Sequence, residues 1–215
     1  FINWNIAEIW IAQHGIAVGN FGLLLRTTNG GQSWQRLSVP DGVPQPMEAL
    51  DPPSKFLLYS VTYADPMHIR VAGEFGLIIG SDDGGDTWFA QNSTVETTLF
   101  SIFFADAQRG WATGLESTLL ATTDGGTTWQ RQRVDTPPGF SLSLYDVHVQ
   151  GGHGWAVGHS GYLLYSSDRG ATWRLVKTPP QLGSYWFREV SLRPSGKGVA
   201  VCLLYTSPSP RDIGE

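Results

Sequence analysis

Apolar and polar residues alternate along this chain in short runs separated by glycine, aspartate and proline. Val61 and Tyr63 flank the polar Thr62, and Val147 and Val149 flank His148 in the same way further on. Small apolar runs such as Ile16-Ala17-Val18 come shortly after the alternating runs. A period of two bounded by turn residues is typical of β-strands. The pattern predicts units of four strands, which we letter A to D in chain order.

These units form a repeat. Four segments begin at the glycine that ends strand B and finish at a tryptophan 15 residues later, with successive copies 54, 41 and 44 residues apart. They are Gly19 to Trp34, Gly73 to Trp88, Gly114 to Trp129 and Gly158 to Trp173. A period of about 40 to 50 residues with strand-like content is typical of β-propeller blades. A fifth unit starts near Val190. The sequence therefore predicts an all-β fold, a β-propeller fragment with four four-stranded blades and the start of a fifth.

The turn between strands C and D carries the most specific motif, Ser/Thr-x-Asp-x-Gly-x-Thr-Trp, in which Asn29 replaces Asp in the first copy. The Asp or Asn side chain is expected to accept backbone N–H bonds within the turn. The glycine supplies a positive φ, and the tryptophan is expected to be mostly buried against the blade. The residues given this structural role are Asn29, Trp34, Asp83, Trp88, Asp124, Trp129, Asp168 and Trp173.

These turns resemble the Asp-box repeats of sialidases, of sortilin-type receptors and of the photosystem II assembly and stability factor family. The likeness to the last is greatest in Gly154-Trp155-Ala156-Val157-Gly158-His159-Ser160-Gly161 and the following turn from Ser166 to Trp173, and it covers about residues 5–201. The resemblance implies a seven-bladed propeller exported to the thylakoid lumen, the periplasm or another extracytoplasmic compartment. It implies a non-catalytic scaffold without a cofactor that binds a protein client, such as a membrane-complex subunit. Relatives in non-photosynthetic bacteria share the fold, so the role transfers less strongly than the fold.

Composition limits the classes of partner and of site that the chain can have. The formal net charge is −5 at pH 7, whereas a general nucleic-acid binder carries a basic stripe. No apolar run reaches the roughly 18 residues of a transmembrane helix. The single cysteine, Cys202, excludes an intrachain disulfide and a site built from several thiolates.

The last residues break the pattern. Residues 202–212 resemble the translation of a common transposase-type sequencing adapter, and Cys202 stands where the repeat requires glycine. We therefore expect a partial propeller over residues 1–201, truncated at both ends, and a non-native tail over residues 202–215. A natural Ser-Pro linker is the alternative.

Catalytic and metal sites are not expected. One carboxylate per turn, as in Asp83 and Asp124, does not supply the roughly 6 to 8 oxygens that calcium takes. The alternative function is a sialidase-like glycoside hydrolase, which needs an arginine cluster, a nucleophilic Tyr with a Glu, and an acid/base Asp. The tyrosines at 59, 63, 145 and 162 fall in or beside strand patterns, where packing is the expected role.

Partner contact is expected on the B–C turns, because the C–D turns are committed to the Asp boxes. The residues proposed for it are Phe21, Glu74, Phe75, Glu116 and His159. Apolar rings at turn tips gain little unless something covers them. The insertion from Pro40 to Pro53 lies beside this face as a loop or a partner-specific arm. A second hypothesis is a docking patch of arginines at positions 70, 109, 131, 133, 188 and 193.

Overall fold

A computed structural model describes residues 4–11, 13–40, 56–134, 142–176, 178–183 and 185–204; side chains are not described for residues 4–11 and 203–204. Most of the segment Pro40–Pro53 and the tail from residue 205 onwards lie outside the described residues. The described chain consists of strands joined by turns, with short 3-10 turns at Asn20–Gly22, Glu74–Gly76, His159–Gly161 and Pro180–Leu182. No helix in these ranges is long and apolar enough to cross a bilayer.

The strands form four antiparallel sheets of four strands and one hairpin, each in chain order A-B-C-D. This confirms four blades and the start of a fifth. Blade one contains β1 (Trp4–Ile11), β2 (His14–Gly19), β3 (Leu23–Thr27) and β4 (Gln35–Arg36). Blade two contains β5 (Leu58–Tyr63), β6 (Ile69–Gly73), β7 (Ile78–Ser81) and β8 (Phe89–Gln91). Blade three contains β9 (Leu99–Phe104), β10 (Gly110–Gly114), β11 (Leu119–Thr122) and β12 (Gln130–Arg131). Blade four contains β13 (Leu144–Gln150), β14 (His153–Gly158), β15 (Leu163–Ser166) and β16 (Arg174–Val176). The fifth unit contains β17 (Tyr185–Leu192) and β18 (Gly198–Leu204).

Two boundaries differ from the sequence prediction. Strand D begins one residue after each motif tryptophan, because the tryptophan still belongs to the turn, where the indole of Trp88 or Trp173 bonds a turn carbonyl. Strand β18 also runs past residue 201, with Cys202 opposite Phe187 and Leu204 opposite Tyr185. The backbone ladder therefore does not break at the predicted domain boundary, and the non-native origin of the tail stays a prediction.

The core lies between neighbouring sheets. Strand A of each blade contacts strand A of the next, so these strands form an inner ring. Buried Ile16 and Leu24 of blade one pack with Leu58 and Ile69 of blade two. Similar apolar clusters join blades two and three, three and four, and four and five. Stacking sheets face to face buries the apolar side of each one, which is why a single blade is not a stable unit.

Strand A has the same irregularity in every blade. Leu58 lies opposite Gly73 and Ser60 opposite Ala72, so Tyr59 between them has no partner on strand B. The register shifts in the same way at Phe100, Tyr145 and Arg188. An extra residue of this kind bends a strand and turns its side chain out of the regular alternation. In blades two to four and in the fifth unit, one described side chain is therefore displaced at the end of strand A that adjoins the B–C turn.

Candidate functional site

Each Asp box is held by a short hydrogen-bond network. The Asp83 carboxylate accepts bonds from the backbone N–H and the hydroxyl of Thr87. The buried Ser81 hydroxyl donates to Asp83 and accepts the N–H of Gly85, both over 2.8 Å. Thr122 and Ser166 repeat this double role in blades three and four. This hydroxyl position is part of the sequence motif, but its double role was not predicted from the sequence.

The carboxylates of these turns are committed to the turn itself. Hydrogen bonds from Thr87, first from its hydroxyl and then from its N–H, lower the pKa of Asp83 to about 2. The Thr172 hydroxyl and N–H lower the pKa of Asp168 to about 2 in the same way. In blade one, Asn29 replaces the carboxylate: its amide oxygen accepts the Ser33 N–H and its amide nitrogen donates to the Ser33 hydroxyl. A neutral amide therefore completes the turn as well, as expected for a structural group.

The tryptophans are less uniform than expected. Trp129 and Trp173 are 3% and 5% exposed, but Trp34 and Trp88 are only half-buried. The predicted burial is therefore deepest in blades three and four and shallower in blades one and two. Trp129 packs edge to face on Phe104, and Trp88 packs against the apolar cluster between blades one and two.

A second contact joins the Asp boxes of blades three and four to the preceding blade. Three residues before the strand B glycine stand Ile16, Arg70, Trp111 and Trp155, which we call the latch residues. The Arg70 guanidinium donates two bonds to the Gly125 carbonyl of the next Asp box, and the Trp111 indole donates to Gly170 of the next. The latch could not be read from the motif, because its halves are more than 50 residues apart.

Arg70 therefore does not belong to a docking patch. It is 3% exposed and also donates to the carbonyls of Ile69 and Ser81, with Asp82 beside it. Sequence alone suggested a surface arginine because charged residues are seldom buried. Arg109 bonds Asp106 within its own A–B turn, and Arg131 donates to the Glu116 carbonyl. The bonds of Arg109 and Arg131 thus run to separate turns and do not bring these two arginines together.

The B–C turns present the two exposed rings expected from the sequence. Phe21 and Phe75 are 64% and 47% exposed. Both adopt left-handed backbone, with φ of 59° and 57°, and so do Glu116 and Ser160 in the later turns. A bulky residue at positive φ costs roughly 1–2 kcal/mol that glycine or asparagine would largely avoid. Strained backbone with an exposed aromatic side chain is a feature of recognition surfaces rather than of packing.

The other proposed turn residues have partners within the protein. One oxygen of the half-buried Glu74 accepts the Leu57 N–H over 2.8 Å. His159 bonds the Ser160 hydroxyl and packs edge to face on Trp186, with ring centroids 4.7 Å apart. Glu116 is exposed. The structure thus places all five predicted residues on one end of the propeller, although Glu74 also braces the start of strand A.

A row of aromatic side chains at the same end was missed by the sequence analysis. The displaced residues of strand A, Tyr59, Phe100 and Tyr145, touch ring to ring across three blades, with centroids 5.3 Å apart at each step. Trp186 continues the row 6.2 Å from Tyr145. The available signal was the recurring phrase Leu, aromatic, Ser or Asp, then Val or Ile at residues 58–61, 99–102 and 144–147.

One carboxylate lies behind this row. Asp146 accepts the Ser101 hydroxyl over 2.6 Å and the Val190 N–H over 2.8 Å, and so ties blades three, four and five together. Burial raises the pKa of Asp146 to about 6 despite these bonds. A glycosidase acid needs a second carboxylate across an open cleft, whereas both oxygens of Asp146 are bonded inside the inner ring. Among the described residues no group of three or more His, Cys, Asp and Glu is arranged to hold a metal ion.

Together the blades, their strand order and the turns define an Asp-box β-propeller. Residues 90–185 match the sequence model of the family described as photosynthesis system II assembly factor YCF48. The resemblance inferred from the sequence is thereby confirmed for this segment. No curated protein matches the chain.

Solved structures show the same fold. A structure described as YCF48 bound to D1 peptide is 15% identical, with 94% of this chain and 89% of that chain covered and a TM-score of 0.51. YCF48 from Cyanidioschyzon merolae is 20% identical over 89% of this chain and 64% of its own, with a TM-score of 0.64. An ancestral GH74 enzyme is 16% identical over 93% of this chain, with a TM-score of 0.72. This chain spans only 27% of that enzyme. Likeness at these identities establishes the propeller fold.

Proposed function

We propose that this protein is a non-catalytic scaffold that binds a protein client through the end of the propeller that carries the B–C turns. The observation that carries the proposal is the pair Phe21 and Phe75, each an exposed ring on left-handed backbone. The left-handed position belongs to the turn geometry, since Glu116 and Ser160 share it, but that geometry does not require an exposed aromatic ring. Aromatic residues are enriched at protein interfaces, where they bury a large area at low entropic cost.

The comparisons support a client that is a protein. The matched family is described as an assembly factor, and a structure of YCF48 contains a D1 peptide. By analogy, the client is a segment of a membrane-complex subunit and the site of action is extracytoplasmic, in the thylakoid lumen or periplasm. No catalytic residue is needed for this role. The opposite end of the propeller is occupied by the Asp boxes, whose carboxylates are already bonded within their turns.

A binding experiment with turn-tip variants tests the proposal. Phe21→Asn with Phe75→Asn removes both rings, while asparagine tolerates positive φ, so folding stability should hold or rise slightly. Binding of fluorescent D1 peptide should weaken at least tenfold. Thr123→Lys with Ser167→Lys, exposed positions of two Asp boxes, should leave binding unchanged.

Two results would overturn the proposal. One is undiminished binding by the turn-tip variant together with loss in the Asp-box variant. The other is hydrolysis of sialosides or other glycosides by the wild-type chain, which would favour the glycoside hydrolase alternative.

A further inference from the structure

The inner-rim aromatic row, defined as Tyr59, Phe100, Tyr145 and Trp186, occupies the same end of the propeller as the B–C turns. Leu58, just before Tyr59, lies opposite Gly73, and the 3-10 turn begins at Glu74. Every ring of the row is half-buried. Tyr59, Phe100 and Tyr145 stand where strand A leaves its regular register, whereas Trp186 is paired with Leu203 two residues before the shift at Arg188. A bulge of this type re-aims a side chain that the ladder would otherwise fix.

Buried aliphatic residues already hold the inner ring together. Leu58, Leu99 and Leu144, each adjacent to a row member, are at most 1% exposed. The serines and Asp146 that follow the row members bond strand A of one blade to strand A of the next. Neighbouring A strands are therefore already joined by other groups, and the partly exposed aromatic side chains add a surface on top of them.

The two ends of the row differ in charge. At the blade-two end, the Glu74 carboxylate lies close enough to Tyr59 to add to the raising of the tyrosine pKa, after the larger effect of burial. At the other end the displaced residue is Arg188, which is exposed and lies over the Tyr145 ring, 4.3 Å from its centroid. His159 packs on Trp186 at the same end. A ligand lying along the row meets an anion at one end and a cation at the other.

We propose that the inner-rim aromatic row binds an extended peptide, with one apolar side chain per blade and a carboxylate side chain paired with Arg188. This inference rests on the proposed function, because it specifies the segment that the scaffold recognises. Side chains on one face of an extended strand repeat every 6.6–6.8 Å or so. The ring spacing of 5.3 to 6.2 Å is close to that repeat.

Arginine suits the carboxylate end. A guanidinium presents a planar fork of donors to a carboxylate while its face stacks on an aromatic ring. The Tyr145 ring thus orients Arg188 without using its outward donors. The inner-rim aromatic row is expected to favour peptides with Phe, Leu or Met side chains, because these bury a large apolar area against aromatic rings.

Two blocked heptapeptides test the inference, each with Phe, Leu and Phe at alternate positions, Lys at one end and Asp at the other. One has Lys at its amino end and Asp at its carboxyl end, and the other has the reverse order. Whichever direction the bound chain takes, one of the two peptides can place Asp at Arg188 and Lys at Glu74. By fluorescence anisotropy with the full 215-residue chain, the matching peptide should bind at least tenfold more tightly than the same peptide with Asn for Asp.

A charge reversal makes the test specific. Arg188→Glu should abolish the preference for Asp and create one for Lys at that end, and because Arg188 is exposed, the thermal midpoint should not move. Arg36 is an exposed arginine on strand D of blade one, and Arg36→Glu should change neither the peptide preference nor the thermal midpoint. Phe100→Leu should weaken binding of the matching peptide several-fold while keeping the site apolar.

The outcomes separate this inference from the proposed function. Absence of binding by both heptapeptides, or an unchanged preference in Arg188→Glu, overturns the peptide row. Neither result touches the proposed scaffold function, which is tested separately by the dependence of D1 peptide binding on Phe21 and Phe75 and by the glycoside hydrolysis assay.

Discussion

The indole N–H groups of Trp111 and Trp173 donate hydrogen bonds to the same carbonyl oxygen, that of Gly170, over 3.0 and 3.1 Å. Trp173 belongs to the Asp box of blade four, and Trp111 reaches it from strand B of blade three. The two rings also bury Gly170, where a Cβ would lie 2.6 Å from the Trp111 ring. One glycine carbonyl thus joins a turn to its own hairpin and to the neighbouring blade.

Trp111→Phe should therefore lower the free energy of unfolding by about 1–2 kcal/mol, since one bond to the Gly170 carbonyl is lost and part of the ring volume with it. Trp155→Phe is the matched control, because Trp155 holds the equivalent position in blade four but is only half-buried. Chemical denaturation of both variants measures the difference. Equal losses in the two would contradict the latch.

Arg70→Met should be more damaging, by roughly 2–4 kcal/mol, because it removes the buried guanidinium bonds to the Gly125 and Ser81 carbonyls and leaves only the Gln91 amide on Gly125. Arg70→Lys should recover little of this, since an ammonium lacks the planar fork that bonds Gly125 twice. Arg36→Met, at an exposed position, serves as the control. Urea midpoints for the three variants provide the measurement, and a mild Arg70→Met would return Arg70 to the candidate surface residues.

Asp146 should make stability depend on pH. Burial raises its pKa in the folded protein to about 6, above the ordinary value of 3.8, so the stabilising effect of protonation is complete below about pH 4 and is lost as pH rises through 6. Asp146→Asn mimics the protonated form, because its amide can still accept the Val190 N–H and donate to the Ser101 hydroxyl. We expect it to be about 2 kcal/mol more stable than wild type at pH 8.

The advantage of Asp146→Asn should shrink towards pH 5. The nearby groups that also matter are Glu189, whose charge adds to the raised pKa of Asp146, and His148, whose pKa burial lowers. Measurements between pH 5 and 8 avoid titrating the Asp-box carboxylates, whose lowered pKa values act below this range. A constant difference across that interval would show that Asp146 does not titrate within it and would contradict its raised pKa.

Arg169→Gly should stabilise the fourth Asp box. Arg169 has a φ of 60°, at the position where Gly30, Gly84 and Gly125 stand in the other three turns. Relief of the left-handed strain is offset in part by the greater freedom of glycine in the unfolded chain. The net gain should be roughly 0.5–1 kcal/mol, seen as a higher thermal midpoint. Gly125→Arg is the reciprocal variant and should lose stability.

The sequence predicted what local chemistry determines. Asp83, Gly85 and Thr87 lie within one turn, so their spacing alone specified the hairpin, and the strands on either side followed from alternation. The peptide-binding candidates Phe21 and Phe75 were found for the same reason, as tips of short turns. Arg70 could not be assigned, because its acceptor at Gly125 is 55 residues away. Tyr59 and Tyr145 were assigned to packing, since a one-residue register shift is invisible in an alternating pattern.

The hydrogen bonds of the latch residues run in one direction along the array of blades, from each donor to the next blade towards the carboxyl end. Trp111 and Gly170 are 59 residues apart, whereas the last blades repeat every 41 and 44 residues, so no stretch one repeat long contains both halves. The donor lies on the earlier blade and the acceptor on the later one. A blade added at the carboxyl end therefore supplies an acceptor to the blade before it, and a blade added at the amino end supplies a donor to the blade after it. Shortening the array from its two ends should therefore be unequal: removal from the carboxyl end leaves a donor without its acceptor, and removal from the amino end leaves only a spare carbonyl facing water.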